Sequence, residues 1–446
     1  MKFLSVRRTL SAGIIAGASV AAFVAPSAAN AALPGHCKGV STKGAGSSLQ
    51  AEAQAVWDPG FNANKSAGCV GGPTITYTKS SSGKGYKEWQ ELHNYGTVGF
   101  VGTDNTVNAA EKEAVENQAT PVKGSELLTI PVLQGAVAVV VNLPAGCTAN
   151  SKSAPGRLEL NQDTLEGVFR GTVTTWGQIA SAEGTGNELK GTGCTEAAIT
   201  PVVRKDGSGT THIFKKFLNL THDEPMAAEN GKEETWAQLA EGGPSTVWPT
   251  AAKVVHAAEE SGGGLLKEVA AKPGSIGYAN LADARNVANG GFTGQSAQRF
   301  WVEVESERKE KTTAKGLKIT RKYKDPASNG DIAAAAESNC KKTEFTNGKG
   351  TFPPPTVDSP WNEVTAKQFS KSYPLCGLTY DLALTHYEAY SAFGGSAAEA
   401  QTVKDFLGYE TSKKGGAKEI AKTHDYTPLP KQLEASAEEG VELINA

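Results

Sequence analysis

The stretch PVVRKDGSGTTHIFKKFLNL, residues 201–220, contains the local arrangement that the rest of the chain repeats. Val202 and Val203 predict a short buried strand, and Gly207-Ser208-Gly209 predicts a turn. The apolar residues after the turn fall at helical spacing and predict a helix; they are Ile213, Phe214, Phe217 and Leu218. A strand, a glycine turn and a helix together point free backbone N–H groups and a partial positive charge at an anion.

The polar side chains around this turn allow two interpretations. Ser208, Thr210 and Thr211 supply hydroxyl donors. Arg204 adds a charged fork that suits a tetrahedral oxyanion. The same residues also suit a helix that is simply well capped, with Ser208 or Thr210 as its N-cap. From this stretch alone, an anion site and a plain helix cap are equally open.

The same turn-then-helix pattern occurs twice more. GAGSSL, residues 44–49, precedes a segment with an apolar helical face that ends at Trp57. SSSGKG, residues 80–85, follows the alternating run TITYT (74–78) and precedes another predicted helix. Each pattern places hydroxyl groups at the start of a helix, and the recurrence favours the anion site.

An acidic residue follows another predicted strand. VGFV, residues 98–101, reads as a buried strand that ends at Gly102-Thr103-Asp104. In α/β sheets, residues at the carboxyl ends of strands contact ligands. Asp104 is therefore a candidate ligand-contacting residue, and a cap of the next helix is the alternative.

The first 31 residues predict a targeting segment. They combine a basic start, an apolar stretch over 12–24 and a small-residue cleavage site at 29–31. The apolar stretch is too short and too rich in Ala and Gly for a transmembrane helix. The residues before Cys37 do not resemble a lipoprotein cleavage site. The mature protein is expected to be exported, periplasmic or secreted, and soluble.

The charge balance excludes some partners. Without the three basic residues of the first 31, the chain has 41 basic and 47 acidic side chains, a net charge of −6. A basic surface for nucleic acid or anionic membrane is therefore not expected.

The six cysteines of an exported chain predict up to three disulfides. Fifteen pairings are possible, and the prediction pairs neighbours in sequence. These pairs are Cys37–Cys69, Cys147–Cys194 and Cys340–Cys376. The absence of a CxxC motif and of a tight Cys/His cluster in the sequence argues against a metal site.

The alternation of strands and helices predicts α/β domains with largely parallel sheets. The longest apolar run of the mature chain, residues 130–142, contains a Pro and a Gly and is predicted to form two strand segments that cross between domains. A second crossing is predicted near Pro374. Domain I would then comprise residues 32–130 and 375–446, and domain II residues 131–374.

Several segments outside these patterns have predictions of their own. Residues 299–324 predict a charged, solvated antiparallel hairpin. Residues 347–360 predict a surface loop. Helices are predicted in 164–179, in 397–409 and in 431–444.

Six motifs together carry a resemblance to a known family. They are GAGSSL (44–49), YTKSSSGKG (77–85), VGFVGTD (98–104), RKDGSGTT (204–211), GSIGY (274–278) and YPLCGLTY (373–380). In this order they resemble the phosphate-binding protein of the high-affinity phosphate ABC transporter. The resemblance implies a periplasmic-binding-protein clamshell, with two α/β domains, mixed and mostly parallel sheets flanked by helices, and a ligand in the interdomain cleft.

The resemblance also implies a function and a ligand set. It implies a monomer that captures inorganic phosphate without a metal or other cofactor, performs no chemistry and delivers the anion to a membrane permease. The matching ligand-binding positions are Ser48, Leu49 (backbone), Ser82, Asp104, Arg204, Ser208, Gly209 and Thr210. Asp206 matches a residue that holds the arginine in place. The family usually has Thr-Phe at Ser48-Leu49, and Lys84 adds a charge beside Ser82.

The residue chemistry favours phosphate over sulfate. An ionised Asp104 in an anion site is costly unless the ligand donates a proton to it, which hydrogen phosphate can do and sulfate at neutral pH cannot. The alternatives are another oxyanion on the same fold (sulfate, molybdate or a phosphonate), or a secreted phosphatase that uses Ser208 and His212. The sequence around Ser208 lacks the Gly-x-Ser-x-Gly elbow, and the spacing predicts that His212 points away from the start of its helix.

Overall fold

The protein alternates strands and helices along most of its length. A computed structural model describes residues 35–121, 123–151, 156–182, 189–222, 226–227, 233–234, 236, 248, 256–257, 260–314, 316–328, 336–357, 359–421 and 424–446. The predicted targeting segment, residues 1–31, lies outside the described residues. Within the described part of the chain, every helix is too short or too polar to cross a membrane.

The strands are numbered in chain order. They are β1 (Thr42–Gly46), β2 (Ile75–Lys79), β3 (Val98–Thr103), β4 (Leu127–Asn142), β5 (Glu159–Leu160), β6 (Thr200–Val203), β7 (Met226–Ala227), β8 (Glu233–Glu234), β9 (His256–Ala257), β10 (Ser275–Asn280), β11 (Thr293–Ser296), β12 (Arg299–Trp301), β13 (Glu303–Thr313), β14 (Gly316–Lys324), β15 (Phe345–Thr346), β16 (Thr365–Ala366), β17 (Cys376–Leu384) and β18 (Tyr426–Pro428).

The helices follow the same convention. They are α1 (Ala51–Ala63), α2 (Ser82–Gln90), α3 (Ala109–Glu116), α4 (Gln162–Arg170), α5 (Trp176–Ser181), α6 (Gly209–Thr221), α7 (Ser261–Ala271), α8 (Leu281–Arg285), α9 (Ala397–Thr411), α10 (Gly416–Ile420) and α11 (Lys431–Glu442). The helices predicted in 164–179, 397–409 and 431–444 are confirmed.

The main sheet is built around β4. Its strand order is β2-β1-β3-β17-β4-β10-β6-β9, and β12 and β18 also pair with β4. Neighbouring strands are parallel at both ends of this order, where β1 pairs with β2 and β3, and β6 with β10 and β9. In the centre, β4 and β17 run antiparallel to their partners. The prediction of mostly parallel sheets therefore holds for the two ends and not for the centre.

The apolar run predicted to form two strand segments is the single strand β4, and that prediction is wrong. All sixteen residues of β4 are buried. Pro131 lies opposite Tyr380, next to an irregularity in the register between β4 and β17. A proline that cannot donate to the ladder is tolerated at such a bulge. Gly135 continues the strand opposite Gly377 of β17.

β4 changes neighbours along its length. Its first part pairs with β17, and its last residues, from Val137 onward, pair with β10. It thereby connects the group β1, β2 and β3 with the group β6, β9 and β10. The division into residues 32–130 with 375–446 and residues 131–374 stays a prediction.

A charged antiparallel hairpin forms within the predicted region, where β13 and β14 pair from Val304–Lys324 to Thr313–Gly316. The predicted bounds differ at the start, because residues 299–301 form β12 and pair with β4, and the first residues of β13 are buried. The base of the hairpin pairs with β5. There, Arg308 donates to Glu305 at 2.8 Å and to Asp163 at 2.6 Å. The outer part of the hairpin is exposed.

The predicted disulfide pairing is confirmed. The bonds join Cys37 to Cys69, Cys147 to Cys194 and Cys340 to Cys376. The third bond ties the chain before β15 to the first residue of β17.

Two buried carboxyl groups meet at the start of α1. Asp381 of β17 and Glu410 of α9 lie close enough to interact, and each accepts a glutamine amide, from Gln50 and Gln54 respectively. Burial raises the pKa of Asp381 to about 6. Burial and the Asp381 charge raise the pKa of Glu410 well above its ordinary value. The pair therefore holds a proton that it would not hold in the unfolded chain.

This pair predicts a pH-dependent stability. Because the folded pKa of Asp381 lies above its ordinary value of 3.8, the free energy of unfolding falls as the pH rises from about 4 to about 6 and stays lowered above that. We expect Asp381→Asn to raise the free energy of unfolding at pH 8 by about 1–3 kcal/mol, and by less at pH 4.5. Urea denaturation at the two pH values measures the difference.

The matched control is Glu438→Gln, on the exposed side of α11, which should change neither value. A gain for Asp381→Asn that is equal at both pH values would contradict the raised pKa of the pair.

Candidate functional site

Arg204 and Asp206 form a fixed pair just after β6. Arg204 is only 1% exposed. Its Nε donates to Oδ1 of Asp206 at 2.5 Å, and its Nη2 donates to Oδ2. This two-point contact fixes the plane of the guanidinium. The structure therefore brings together the two residues as predicted, with the charged fork of Arg204 held in one orientation.

The start of α6 is capped by its own turn. Ser208 is the N-cap, and its Oγ accepts the N–H of Thr211 at 3.2 Å. The predicted cap is confirmed, and of the two candidates it is Ser208. The cap does not exclude an anion site, since a hydroxyl that accepts one bond still has a hydrogen to donate. Tyr278 supports the turn, with its hydroxyl 2.7 Å from Thr211 Oγ1 and 3.4 Å from Arg204 N.

Asp104 lies at the carboxyl end of β3 and faces the start of α6. Its backbone N–H donates to Ser82 Oγ at 3.2 Å. A Cβ added to Gly209 would come within 2.5 Å of the Asp104 Cβ and 2.7 Å of Ser82 Oγ. Three of the predicted residues, from three distant segments, therefore touch. The alternative role for Asp104 is wrong, because α3 is capped by Asn108.

Asp104 is a buried carboxyl with several hydrogen-bond donors. Burial raises its pKa to about 6, while hydrogen bonds from the side chains of Ser47, Thr379 and Thr210 and the charge of Arg204 act in the opposite direction. The group is therefore mostly ionised at neutral pH. The ionised carboxylate can accept a hydrogen bond from a ligand that carries a proton, and it repels a ligand whose oxygens are all acceptors.

The turn after β1 places Ser47, which was not among the predicted site residues, in contact with Asp104. Ser47 donates from its hydroxyl to Oδ1 of Asp104. The N–H groups of Leu49 and Gln50 donate back to Ser47 Oγ, at 3.0 Å and 3.3 Å. Ser48, the predicted hydroxyl, is buried alongside, and its carbonyl accepts Asn280 Nδ2 at 3.4 Å. The two adjacent serines of GAGSSL are indistinguishable by pattern.

The turn before α2 joins the site to the turn before α6. Ser81 caps α2 by accepting the N–H of Lys84 at 3.4 Å. Gly83 donates its N–H to the carbonyl of Gly207 at 3.2 Å. The charge of Lys84 is taken up by an exposed ion pair with Glu260, and it does not enter the buried site.

Leu49, where the family usually has an aromatic residue, packs against the backbone of β4 at Gly135. The aromatic surface beside Asp104 comes from elsewhere. A cavity that Asp104 borders runs along α6 and is walled on the other side by Phe345, Trp361 and Tyr380. Phe345 and Trp361 belong to the segment tied down by the third disulfide, a long-range arrangement that no local sequence signal reveals.

His212 is buried on α6 and borders the same cavity. Burial and the neighbouring charges of Lys216 and Lys215 lower its pKa well below the ordinary value, so that it is neutral. Among the described residues, no hydrogen bond joins the side chains of His212 and Ser208. The geometry that a serine nucleophile with a histidine base requires is therefore not formed here.

One cluster of potential metal ligands occurs in the described residues, where the N-terminal segment contacts α9: His36, Cys37, Cys69 and Asp405. Its two cysteines are joined in a disulfide, so their thiolates are not available. Neither Asp104 nor Arg204 belongs to this cluster.

The comparisons with known proteins place the chain among binding proteins. A family model described as a PBP superfamily domain matches residues 25–340. The chain is 26% identical over 316 residues to the phosphate-binding protein PstS of Xylella fastidiosa strain Temecula1, covering 71% of this chain and 70% of that protein. It is 25% identical over 402 residues to the PstS of strain 9a5c, covering 89% and 85%.

A solved structure agrees in fold. A phosphate-binding protein from Stenotrophomonas maltophilia superposes with a TM-score of 0.52 at 18% identity, covering 89% of this chain and 92% of that one. The predicted class of fold, a periplasmic-binding-protein α/β architecture, is confirmed.

The close approach of Gly209 to Asp104 and Ser82 predicts the effect of adding a methyl group at Gly209. Gly209→Ala places a Cβ within 2.8 Å of Asp104 and Ser82 atoms, which forces the start of α6 away from β3. We expect a loss of about 1–3 kcal/mol in the free energy of unfolding, measured by urea denaturation.

Gly83→Ala is the matched control at the start of α2. Its new Cβ would lie 3.5 Å from the nearest atom, the Gly207 carbonyl oxygen, which is an ordinary contact. It should be neutral or slightly stabilising, because alanine favours a helix more than glycine does. Equal stability of the Gly209→Ala variant and the wild type would refute the tight packing of α6 against Asp104.

Proposed function

The chain belongs to the PBP superfamily, and from this premise we propose that it captures inorganic phosphate at Asp104 and Arg204 and delivers it to an ABC transporter. Two relatives that align over more than two thirds of their length are named phosphate-binding protein PstS. In this proposal the protein acts outside the cytoplasm as an exported monomer, and its function is capture and delivery without chemical conversion.

The observation that carries the proposal is the buried, mostly ionised Asp104 beside the charged fork of Arg204. Arg204 attracts an oxyanion, while Asp104 accepts only an oxygen that carries a proton. Hydrogen phosphate meets both demands. Sulfate would forfeit a charge-assisted hydrogen bond of about 1.5–3 kcal/mol and add repulsion at the same point. Selectivity for phosphate therefore comes from the Asp104 carboxylate, which repels an anion that has no proton to donate.

The proposed ligand set combines the predicted positions from four turns. Hydroxyl groups, backbone N–H groups and the guanidinium would surround the anion, with Asp104 as the single acceptor. The N–H of Leu49 donates to Ser47 in this structure and would have to exchange that partner for the ligand. The residues are Ser48, Leu49, Ser82, Asp104, Arg204, Ser208, Gly209 and Thr210.

The proposed mechanism of capture uses hydrogen-bond donors from both groups of parallel strands. The turns after β1, β2 and β3 belong to one group, and the turn after β6 to the other. A ligand that contacts both binds best when they are close together, and therefore shifts the population toward the closed form. We propose that the closed, loaded form is the one that the permease recognises.

Calorimetric titration of phosphate-stripped protein tests the proposal. We expect one phosphate per chain, bound tightly and still bound in excess sulfate. Molybdate and methylphosphonate serve as competitors for the alternative oxyanions. Absence of phosphate binding, or its loss to any of these competitors at equal concentration, would overturn the proposal.

Asp104→Asn tests the origin of selectivity. The amide offers an N–H to a sulfate oxygen and removes the negative charge, so we expect the phosphate-to-sulfate affinity ratio to fall at least tenfold, by about 1.5–3 kcal/mol. Competition titration measures the ratio. Asp163→Asn, at a half-buried carboxylate that pairs with Arg308 at the base of the hairpin, is the control and should leave the ratio unchanged. A ratio that survives Asp104→Asn would place selectivity elsewhere.

A further inference from the structure

Ser47 is buried, and the direction of its hydroxyl is fixed. Its oxygen accepts the backbone N–H groups of Leu49 and Gln50 at 3.0 Å and 3.3 Å. Because both N–H groups occupy the acceptor side of the oxygen, the hydroxyl hydrogen points away from them and is donated to Oδ1 of Asp104. The backbone N–H of Ser47 also donates to Gly102, two residues before Asp104, at 2.8 Å. The protein therefore occupies one oxygen of this carboxylate.

We propose that Ser47 keeps Asp104 an ionised acceptor, and thereby sets the pH below which the site stops rejecting oxyanions that carry no proton. Ser47 lies outside the proposed ligand set, and the inference rests on the proposed phosphate site. A hydrogen bond donated to a carboxylate stabilises the charged form over the neutral acid. Removal of the Ser47 hydroxyl therefore favours the protonated form of Asp104.

Protonation of Asp104 reverses its effect on sulfate. The ionised group presents acceptors only and repels a sulfate oxygen. The neutral group carries an O–H that donates to the same oxygen. Sulfate itself keeps its charge across the neutral range, whereas phosphate titrates there. The pH dependence of sulfate affinity therefore reports the protonation of Asp104 separately from that of the ligand.

Among the described residues that line the cavity, Asp104 is the carboxyl; Asp381, whose pKa burial also raises to about 6, does not line it. Burial raises the pKa values of the neighbouring tyrosines, which stay neutral, and the pKa of His212 is lowered so that it is neutral too. The facing charged and titratable groups are Tyr77 on β2, Arg204 after β6, His212 and Lys216 on α6, Tyr380 on β17 and Tyr426 on β18.

Calorimetric titrations of the full chain with sulfate and with inorganic phosphate, between pH 5 and pH 8, test the proposal. In the wild type, sulfate affinity should rise as the pH falls through about 6, where Asp104 takes up its proton. In Ser47→Ala, the same rise should occur about one pH unit higher, so that at pH 7 sulfate binds several-fold more tightly than to the wild type. Ser47→Thr retains the hydroxyl, so the pH at the midpoint of the rise in sulfate affinity should return to the wild-type value.

Ser81→Ala is the matched control. It also removes a buried hydroxyl that caps the start of a helix, but this hydroxyl accepts the N–H of Lys84 and does not donate to Asp104. Its midpoint should equal that of the wild type. If Ser47→Ala does not fold, Ser47→Cys, which replaces the hydroxyl with a weak donor of similar size, must show an upward shift.

The outcomes separate this inference from the function on which it rests. A wild-type midpoint in the Ser47 variants, with phosphate binding intact, overturns the role of Ser47 alone. A wild type that binds no phosphate overturns the proposed function and this inference with it. A shift in Ser47→Ala that Ser47→Thr reverses supports both.

Discussion

A buried carboxylate that remains ionised is the constraint on which the rest of the site depends. Asp104 is removed from water, and burial alone would favour its neutral form. The protein opposes this with hydroxyl donors from the turn after β1, from α6 and from β17, and with the positive charge of Arg204, which Asp206 holds in place. These groups come from segments far apart in the chain, so the charge state of one side chain requires that the whole sheet be assembled.

β4 is the element that makes this assembly possible. The turns after β1, β2 and β3 lie on one side of it in the strand order, and the turn after β6 lies on the other. β4 is buried along its full length and changes pairing partners at about Val137. This single strand therefore fixes the position of one group of turns relative to the other. The apolar run that dominates the sequence is therefore the part of the core that positions the polar residues.

Local patterns predicted much of this site, and long-range geometry decided the rest. The strand, the turn and the helix around Ser208 were predictable, because glycine and hydroxyl residues act within a few positions. The continuity of β4 was not, because the bulge that accommodates Pro131 depends on Tyr380, far away in the chain. The choice between Ser47 and Ser48 was not predictable either. It depends on the folded turn, in which Gly46 has a φ of +135° and the following residue, Ser47, donates to Asp104.

The glycine pair in the middle of the sheet has a mechanical consequence. Gly135 and Gly377 face each other where β4 and β17 lie side by side, and neither presents a side chain that would resist torsion of the two strands. Leu49 packs over the first and Ile213 of α6 over the second. The glycine pair is therefore in contact with the segment after β1 and with the helix after β6, so a change in the twist of the two strands there would be transmitted to both sides of the proposed anion site.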